Sequence, residues 1–389
     1  MDSVVVAAAA RTPLGAFNGK LKSLSATDLG KSVVRRVTED YNIRIDGLYM
    51  GCVLSAGLGQ SVARQTAIGA GLCDSVNCVS INKICGSGME AVMTARNAIV
   101  AGEIDTAVAG GTESMSNAPY LLEKARFGYR FGDAKIVDHL VRDGLTDAFE
   151  GCVMGYYAEE TATTCSFTRA DQDRYAEQSF IKARKSAENG FFTGEIVPIK
   201  LKDKKGAEII EDRDEVPFSV DLAKIPNLKP AFKEGGTVTA ASSSSIADGA
   251  AAMLLMKESK AREVGLVPLA RIVAQSSFSQ APKLFTTAPI GAIRQVLKKS
   301  GWSIGDVDLF EINEAFAVVA MAVIREFNVD PEKINVRGGA CALGHPLGAS
   351  GARIIVTLLN AMETENAEKG LAALCVGGGE GVAMTFERL

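Results

Sequence analysis

Leu374-Cys375-Val376-Gly377-Gly378-Gly379-Glu380 has a counterpart far upstream in Ala107-Val108-Ala109-Gly110-Gly111-Thr112-Glu113. Each reads as a short apolar strand followed by a glycine turn ending in glutamate. The two sites share their approach as well. Ile45-Asp46-Gly47-Leu48-Tyr49 matches Val307-Asp308-Leu309-Phe310-Glu311. About 40 residues beyond Asp46, Ser87-Gly88 opens a helix, and the same step from Asp308 reaches Ser350-Gly351. One unit is used twice. Strand, helix and strand alternating over short connections imply α/β units with helices covering both sheet faces.

Between the halves, from about Asn117 to Ser245, the chain is richer in charge and turn residues. Thr168-Arg169-Ala170-Asp171 reads as a helix N-cap with an acid in the first turn. Gln172 to Glu188 continues as an amphipathic helix, and Gly190-Phe191-Phe192-Thr193-Gly194 stops it.

At 389 residues the chain is long enough for two or three domain-sized units, and its 47% hydrophobic content supplies large cores. A net charge of −4 argues against a nucleic-acid partner and against a polybasic membrane surface. Lys202-Asp203-Lys204-Lys205 is a short basic cluster, read as a solvated turn that could also meet an anionic substrate tail. The eight cysteines include no C-x-x-C pair, and with two histidines a zinc site, or any other metal site, is not expected. Free thiols on this scale suit a reducing compartment. Val4-Val5-Val6-Ala7-Ala8 starts a strand at once without a basic secretory n-region, and Phe386-Glu387-Arg388-Leu389 is no Ser-Lys-Leu signal. A cytoplasmic location is the expectation.

Chemistry concentrates in three places. Asn82-Lys83-Ile84-Cys85-Gly86-Ser87-Gly88 leads into a helix with Met89, Val92, Met93, Arg96, Ile99 and Val100 on its buried face. Cys85 then lies at a helix N-terminus, where free N–H groups and the dipole favour a thiolate. The second place is Asn313-Glu314-Ala315-Phe316. The third joins Gly344-His345-Pro346 to Cys375-Val376-Gly377-Gly378-Gly379. In residue types, order and spacing this set resembles the thiolase family, and the resemblance runs from Val4 to the last residues.

That resemblance implies a five-layered αβαβα sandwich of two repeated halves with an inserted loop domain. The expected halves are 1–116 plus 246–267 and 268–389, with 117–245 as the loop domain that binds coenzyme A and makes oligomer contacts. It implies the reversible joining of two acetyl-CoA molecules to acetoacetyl-CoA and CoA. The alternative is broad-chain cleavage of 3-ketoacyl-CoA in fatty-acid degradation. Cys85 would carry the acetyl group, His345 would take its proton, and Cys375 would deprotonate the second acetyl-CoA. His345 with a water held by Asn313 would bind the CoA thioester oxygen. The N–H groups of Cys85 and Gly377 would bind the acetyl-enzyme oxygen. Phe232, Ala240, Ser244, Ala315 and Phe316 match positions along the pantetheine channel, and Met154 and Phe285 would close a small acyl pocket.

CoA enters as substrate and product, with no other cofactor. The assembly implied is a homodimer or homotetramer, with Pro119 to Gly132 matching a loop that joins dimers. The chain departs from the family pattern at Ser242, where most relatives carry Asn. It departs again at Phe218, near which many carry an Arg that helps hold the CoA adenine, and at Val153, where some carry His.

Overall fold

The computed structural model describes residues 2–203 and 205–389, so Lys204 of the basic cluster lies outside the described residues. The first half runs β1 (Val4–Arg11), α1 (Ala26–Arg36), β2 (Gly47–Gly51), α2 (Val62–Ala70), β3 (Asn77–Ile81), α3 (Ser87–Ala101) and β4 (Thr106–Ser114). The middle stretch carries α4 (Met154–Thr164) and α5 (Arg169–Glu188). The chain returns with β5 (Ala247–Lys257), β6 (Ala270–Ser279), α6 (Ala288–Ser300), β7 (Leu309–Ile312), α7 (Ala317–Phe327), α8 (Leu347–Thr364), β8 (Lys369–Val376) and β9 (Glu380–Arg388).

The strands hydrogen-bond in the order β7-β8-β9-β6-β1-β5-β4-β2-β3. The order mirrors itself about a seam where β1 meets β6, antiparallel, at Val5–Arg271 and Val6–Ala270. On each side two strands run parallel, β2 with β4 and β7 with β8, and the next pair, β4–β5 or β8–β9, is antiparallel. Where the first half has β3, the second keeps a single parallel bridge from Phe310 to Ile334. The repeat extends to its hydrogen bonds. Asp46 accepts the N–H groups of Asp105 and Thr106 at 3.1 and 3.2 Å. Asp308 accepts those of Glu368 and Lys369 at 3.0 and 2.9 Å.

The layers follow from period-two alternation. Ala251, Met253 and Leu255 of β5 face a core shared with α3 and α8, while Ala250, Ala252, Leu254 and Met256 face α1 and α2. In β8, Ala372, Leu374 and Val376 face α3 and α8, while Leu371, Ala373 and Cys375 face α6 and α7. Both faces of each sheet are covered, which is why these strands read as unbroken apolar runs. Each large side chain buried this way contributes roughly 1.5–3 kcal/mol. The result is helices, sheet, helices, sheet, helices.

The two central helices cross at glycine. A Cβ on Gly351 would lie 2.5 Å from the Met89 nitrogen, and one on Gly88 2.8 Å from that of Ala352. Three expectations are corrected here. Gly110 and Gly111 lie inside β4, not in a turn, because Cβ atoms there would sit 2.1 and 2.0 Å from the carbonyl oxygens of Ala251 and Gly348. Ser350-Gly351 does not open α8. The helix starts at Leu347 after Pro346, whose ring fixes φ at a value suited to a helix start. Val100 is exposed, while Met89, Val92, Met93 and Ile99 form the buried face of α3.

In the middle stretch, Thr168 caps α5 and forms a capping box with Asp171. Arg11, fully buried at the end of β1, ties this stretch to the halves. Its guanidinium donates to Asp214 at 2.7 and 2.9 Å and to Glu195 at 2.5 Å. Glu195 in turn accepts from Thr357 and Asn360 of α8.

Candidate active site

One cavity of about 640 Å³ is lined by Cys85, His345, Gly377, Met154, Phe285, Phe232, Ala240, Ser244, Ala315 and Phe316. Asn313 and Cys375 do not line it. They are fully buried in the elements that do, Asn313 two residues before Ala315 and Cys375 two before Gly377.

Cys85 stands immediately before Gly86, the N-cap of α3. Its placement is forced by the residue ahead of it. Ile84 has φ +47°, a left-handed conformation that costs a β-branched residue about 1–2 kcal/mol. Four hydrogen bonds hold the turn. Ile84 N–H donates to Asn82 at 3.0 Å and Lys83 N–H to Ser87 Oγ at 2.8 Å. Ser87 returns its N–H and its hydroxyl to the Ile84 carbonyl at 3.0 and 2.6 Å. Strain maintained by surrounding bonds beside a nucleophilic side chain is a mark of a functional site.

The helix terminus does not leave Cys85 as a thiolate. Burial pushes its thiol up to about 12, although the N–H groups of Gly377 and of Cys85 itself pull the other way. Desolvation outweighs the hydrogen bonds. Cys375 is also pushed well above the ordinary thiol range, by burial first and then by the charge of Cys85.

Ser350 Oγ lies 2.9 Å from the Pro346 carbonyl and 2.5 Å from His345 Nδ1; assigning its one proton to the carbonyl makes Nδ1 the donor between them. Nε2 is left with a lone pair, buried and without a partner among the described residues. The ring sits at the start of α8, which Glu113 fixes by accepting the Gly348, Val53 and Leu54 N–H groups at 2.8, 3.0 and 3.0 Å. Burial, with Arg353 adding to it, lowers the imidazole from 6.5 to about 3. The resting pair is therefore a neutral thiol and a neutral imidazole, and the base takes a proton only as sulfur attacks.

That shift has a consequence for stability. In the unfolded chain the imidazole is protonated below its ordinary 6.5, whereas in the folded protein it resists protonation until about 3. Between these values the unfolded state binds more protons, so stability falls with falling pH by about 1.4 kcal/mol per unit from this residue. Denaturant unfolding of His345→Asn at pH 6.5 and about pH 4.5 should show a loss smaller than wild type by about 2–3 kcal/mol. Equal losses in the two proteins would contradict a buried neutral His345.

Asn313 keeps both side-chain polar atoms buried without a partner among the described residues. A buried amide left so is equipped to hold a water or a ligand oxygen. Part of the cavity wall is aromatic. Phe285 meets Tyr157 and Phe316 edge-on at 6.3 and 6.4 Å, and Phe232 meets Phe316 at 5.8 Å. Gly155 makes room, since a Cβ there would lie 2.3 Å from the Phe232 ring. A Cβ on Gly377 would meet Ile84 and Met154 at ordinary distances of 3.5 and 3.6 Å, so what it would take is room near the thiol.

Of the departures, Ser242 closes a turn. Its Oγ accepts the Thr239 N–H at 2.9 Å and its carbonyl accepts that of Ala317 at 2.8 Å. Phe218 lies off the cavity, its ring 4.7 Å from the Arg213 guanidinium, whereas Val153 lines the cavity. Sequence reading missed Ile84, Ser350 and Phe17, and also the π-helical segment Leu140–Leu145, from which Val141 and Leu145 reach the cavity. Ser350 alone had a readable signal, its place one helical turn after Pro346.

Among the described residues no group of three or more His, Cys, Asp or Glu could hold a metal, and no helix is long and apolar enough to cross a membrane.

The family models for the thiolase N-terminal and C-terminal domains match residues 4–259 and 266–388. An acetyl-CoA acetyltransferase of Thiocystis violacea is 47% identical over 392 residues, covering all of both chains. A crystal structure of the Bacillus anthracis acetyl-CoA acetyltransferase superposes with a TM-score of 0.97 at 40% identity, covering 100% of this chain and 99% of that one. A thiolase from Ascaris suum in complex with coenzyme A gives 0.94 at 42% identity, covering both chains fully.

Proposed function

The chain belongs to the thiolase family, and we propose that it is an acetyl-CoA C-acetyltransferase that joins two acetyl-CoA molecules into acetoacetyl-CoA and CoA and runs the reverse thiolysis. The observation that carries this reading is a single cavity holding Cys85, a neutral His345 with a free Nε2, and the Gly377 turn.

In the first half-reaction Cys85 Sγ attacks the thioester carbonyl of acetyl-CoA while its proton passes to His345 Nε2. The N–H groups of Cys85 and Gly377 receive the developing oxyanion. The carbon–sulfur bond to CoA breaks, and the leaving thiolate takes the proton of Cys375. The enzyme then holds acetyl-Cys85, a protonated His345 and a Cys375 thiolate. Burial makes that thiolate a strong base, which suits it to the weakly acidic α-carbon of a second acetyl-CoA. The enolate oxygen is stabilised by His345 and a water on Asn313. The carbanion attacks acetyl-Cys85, acetoacetyl-CoA forms, and His345 returns its proton to the Cys85 sulfur.

Two half-reactions on one nucleophile give ping-pong kinetics. Thiolysis rates measured with acetoacetyl-CoA and CoA varied together should give parallel reciprocal plots. Intersecting lines would contradict the acetyl-enzyme.

The substrate range follows from the aromatic wall. Phe285 is buried against Tyr157 and Phe316, which favours a short acyl chain over the broad-chain alternative. Two more methylenes would add roughly 0.8 kcal/mol each if buried in open space, but overpacking a closed pocket costs about 1–3 kcal/mol. Phe285→Ala should therefore raise kcat/KM for 3-ketohexanoyl-CoA relative to acetoacetyl-CoA by about tenfold. Equal wild-type efficiency on four- and ten-carbon substrates would move the enzyme to the degradative class.

CoA serves as substrate and product, with no further cofactor. We assign 117–245 to CoA binding and oligomer contacts, and the halves to 1–116 plus 246–267 and to 268–389. A homodimer or homotetramer is supported by the exposed Tyr120, Leu122, Phe127 and Phe131 within or beside the Pro119–Gly132 loop. Eight free cysteines support a cytoplasmic location.

A further inference from the structure

We propose that Phe17 is a recognition residue for the CoA arm, forming an aromatic rim at the mouth of the catalytic cavity. This rests on the CoA-thioester reading above. Phe17 lines the same cavity as Cys85 and His345, yet 47% of it is exposed. A phenyl ring left half open costs apolar hydration unless something covers it.

The turn that carries it is rigid. Gly15–Ala16 pairs with Ala247 and Asp248 of β5. Gly19 N–H closes the turn on the Ala16 carbonyl at 2.8 Å, Asn18 takes φ +55°, and Asn18 N–H donates to Ser116 Oγ at 2.8 Å. Glu215 accepts the N–H groups of both Ala16 and Lys20 at 3.0 Å. Gly19 is pinned under that carboxylate, where a Cβ would fall 2.3 Å from its oxygen. Glu215 directly precedes Val216, which lines the same cavity, so one carboxylate ties the Phe17 turn to a second segment of the cavity wall. A side chain held by this many bonds and still pointed into open cavity is built to meet a ligand. The catalytic groups occupy the acyl end. What remains for Phe17 is the arm that follows the thioester, with apolar pantetheine and an adenine face to offer.

The test compares Phe17→Ala with wild type using CoA itself in titration calorimetry, and acetoacetyl-CoA and acetoacetyl-N-acetylcysteamine in thiolysis. The Kd for CoA and the KM for acetoacetyl-CoA should rise about five- to tenfold, with kcat within about twofold. The KM for the truncated thioester should move less than about twofold, and Phe17→Tyr should restore CoA affinity. Equal shifts for both thioesters, an unchanged Kd, or a changed oligomeric mass with unchanged Kd overturns the proposal alone. A wild type that does not bind CoA overturns it together with the functional reading.

Discussion

In Cys85→Ser, thiolysis of acetoacetyl-CoA should fall by at least about a thousandfold, with the unfolding midpoint within about 4 °C of wild type. Serine fits the same space beside Gly86 and can accept the same N–H groups. What it lacks is acidity. The Cys85 thiol already stands at about 12 through burial, and His345 is a weak base at about 3. The proton moves only because sulfur is nucleophilic as it leaves. An alkoxide in that setting is far less accessible, and an acetyl ester is a poorer acyl donor than a thioester. Measured rates and melting curves decide the matter together: near-wild-type activity would remove Cys85 from the chemistry, and loss of the fold would reassign it to packing.

Cys375→Ala separates the half-reactions. Acetyl-CoA should still load one acetyl group per chain, because attack by Cys85 uses His345 and the two N–H donors, and the departing CoA thiolate, a weak base, can take from solvent the proton that Cys375 otherwise gives it. Steady-state formation of acetoacetyl-CoA should drop by about 10²–10⁴-fold, the usual contribution of a positioned base. The side chain is buried on the α6 and α7 face of β8, and the small cavity left by alanine is tolerable there. A variant that never acetylates would give Cys375 the earlier role, and one that condenses normally would give it none.

The repeated halves were legible because they rest on local chemistry. Asp46 and Asp308 each close the same bend, and apolar strands buried on both faces leave unbroken runs. The glycine motifs were legible only in part. Gly110-Gly111-Thr112 and Gly377-Gly378-Gly379 look alike, yet only the second is a turn. Gly379 takes φ +90°, and Thr112, at the matching place, carries a β-branched side chain that would be strained there. That difference was present in the sequence and was not used. The electrostatics of Cys85 could not be read locally, since the helix terminus argues for a thiolate and the burial that overrides it comes from both halves closing over the residue. Ile84 and Phe17 also escaped. The strained φ of Ile84 is held by local bonds to Asn82 and Ser87 that only the folded turn reveals, and the half-open ring of Phe17 sits on a turn held by Ser116 and Glu215, both distant in sequence.

Peptide mapping of wild-type enzyme quenched with acetyl-CoA in the absence of free CoA tests the central claim most directly. The account predicts an acetyl group on the peptide bearing Cys85 and on no other cysteine, discharged on addition of CoA. An unlabelled Cys85 peptide, or a stable acetyl group on Cys375 in its place, would contradict it.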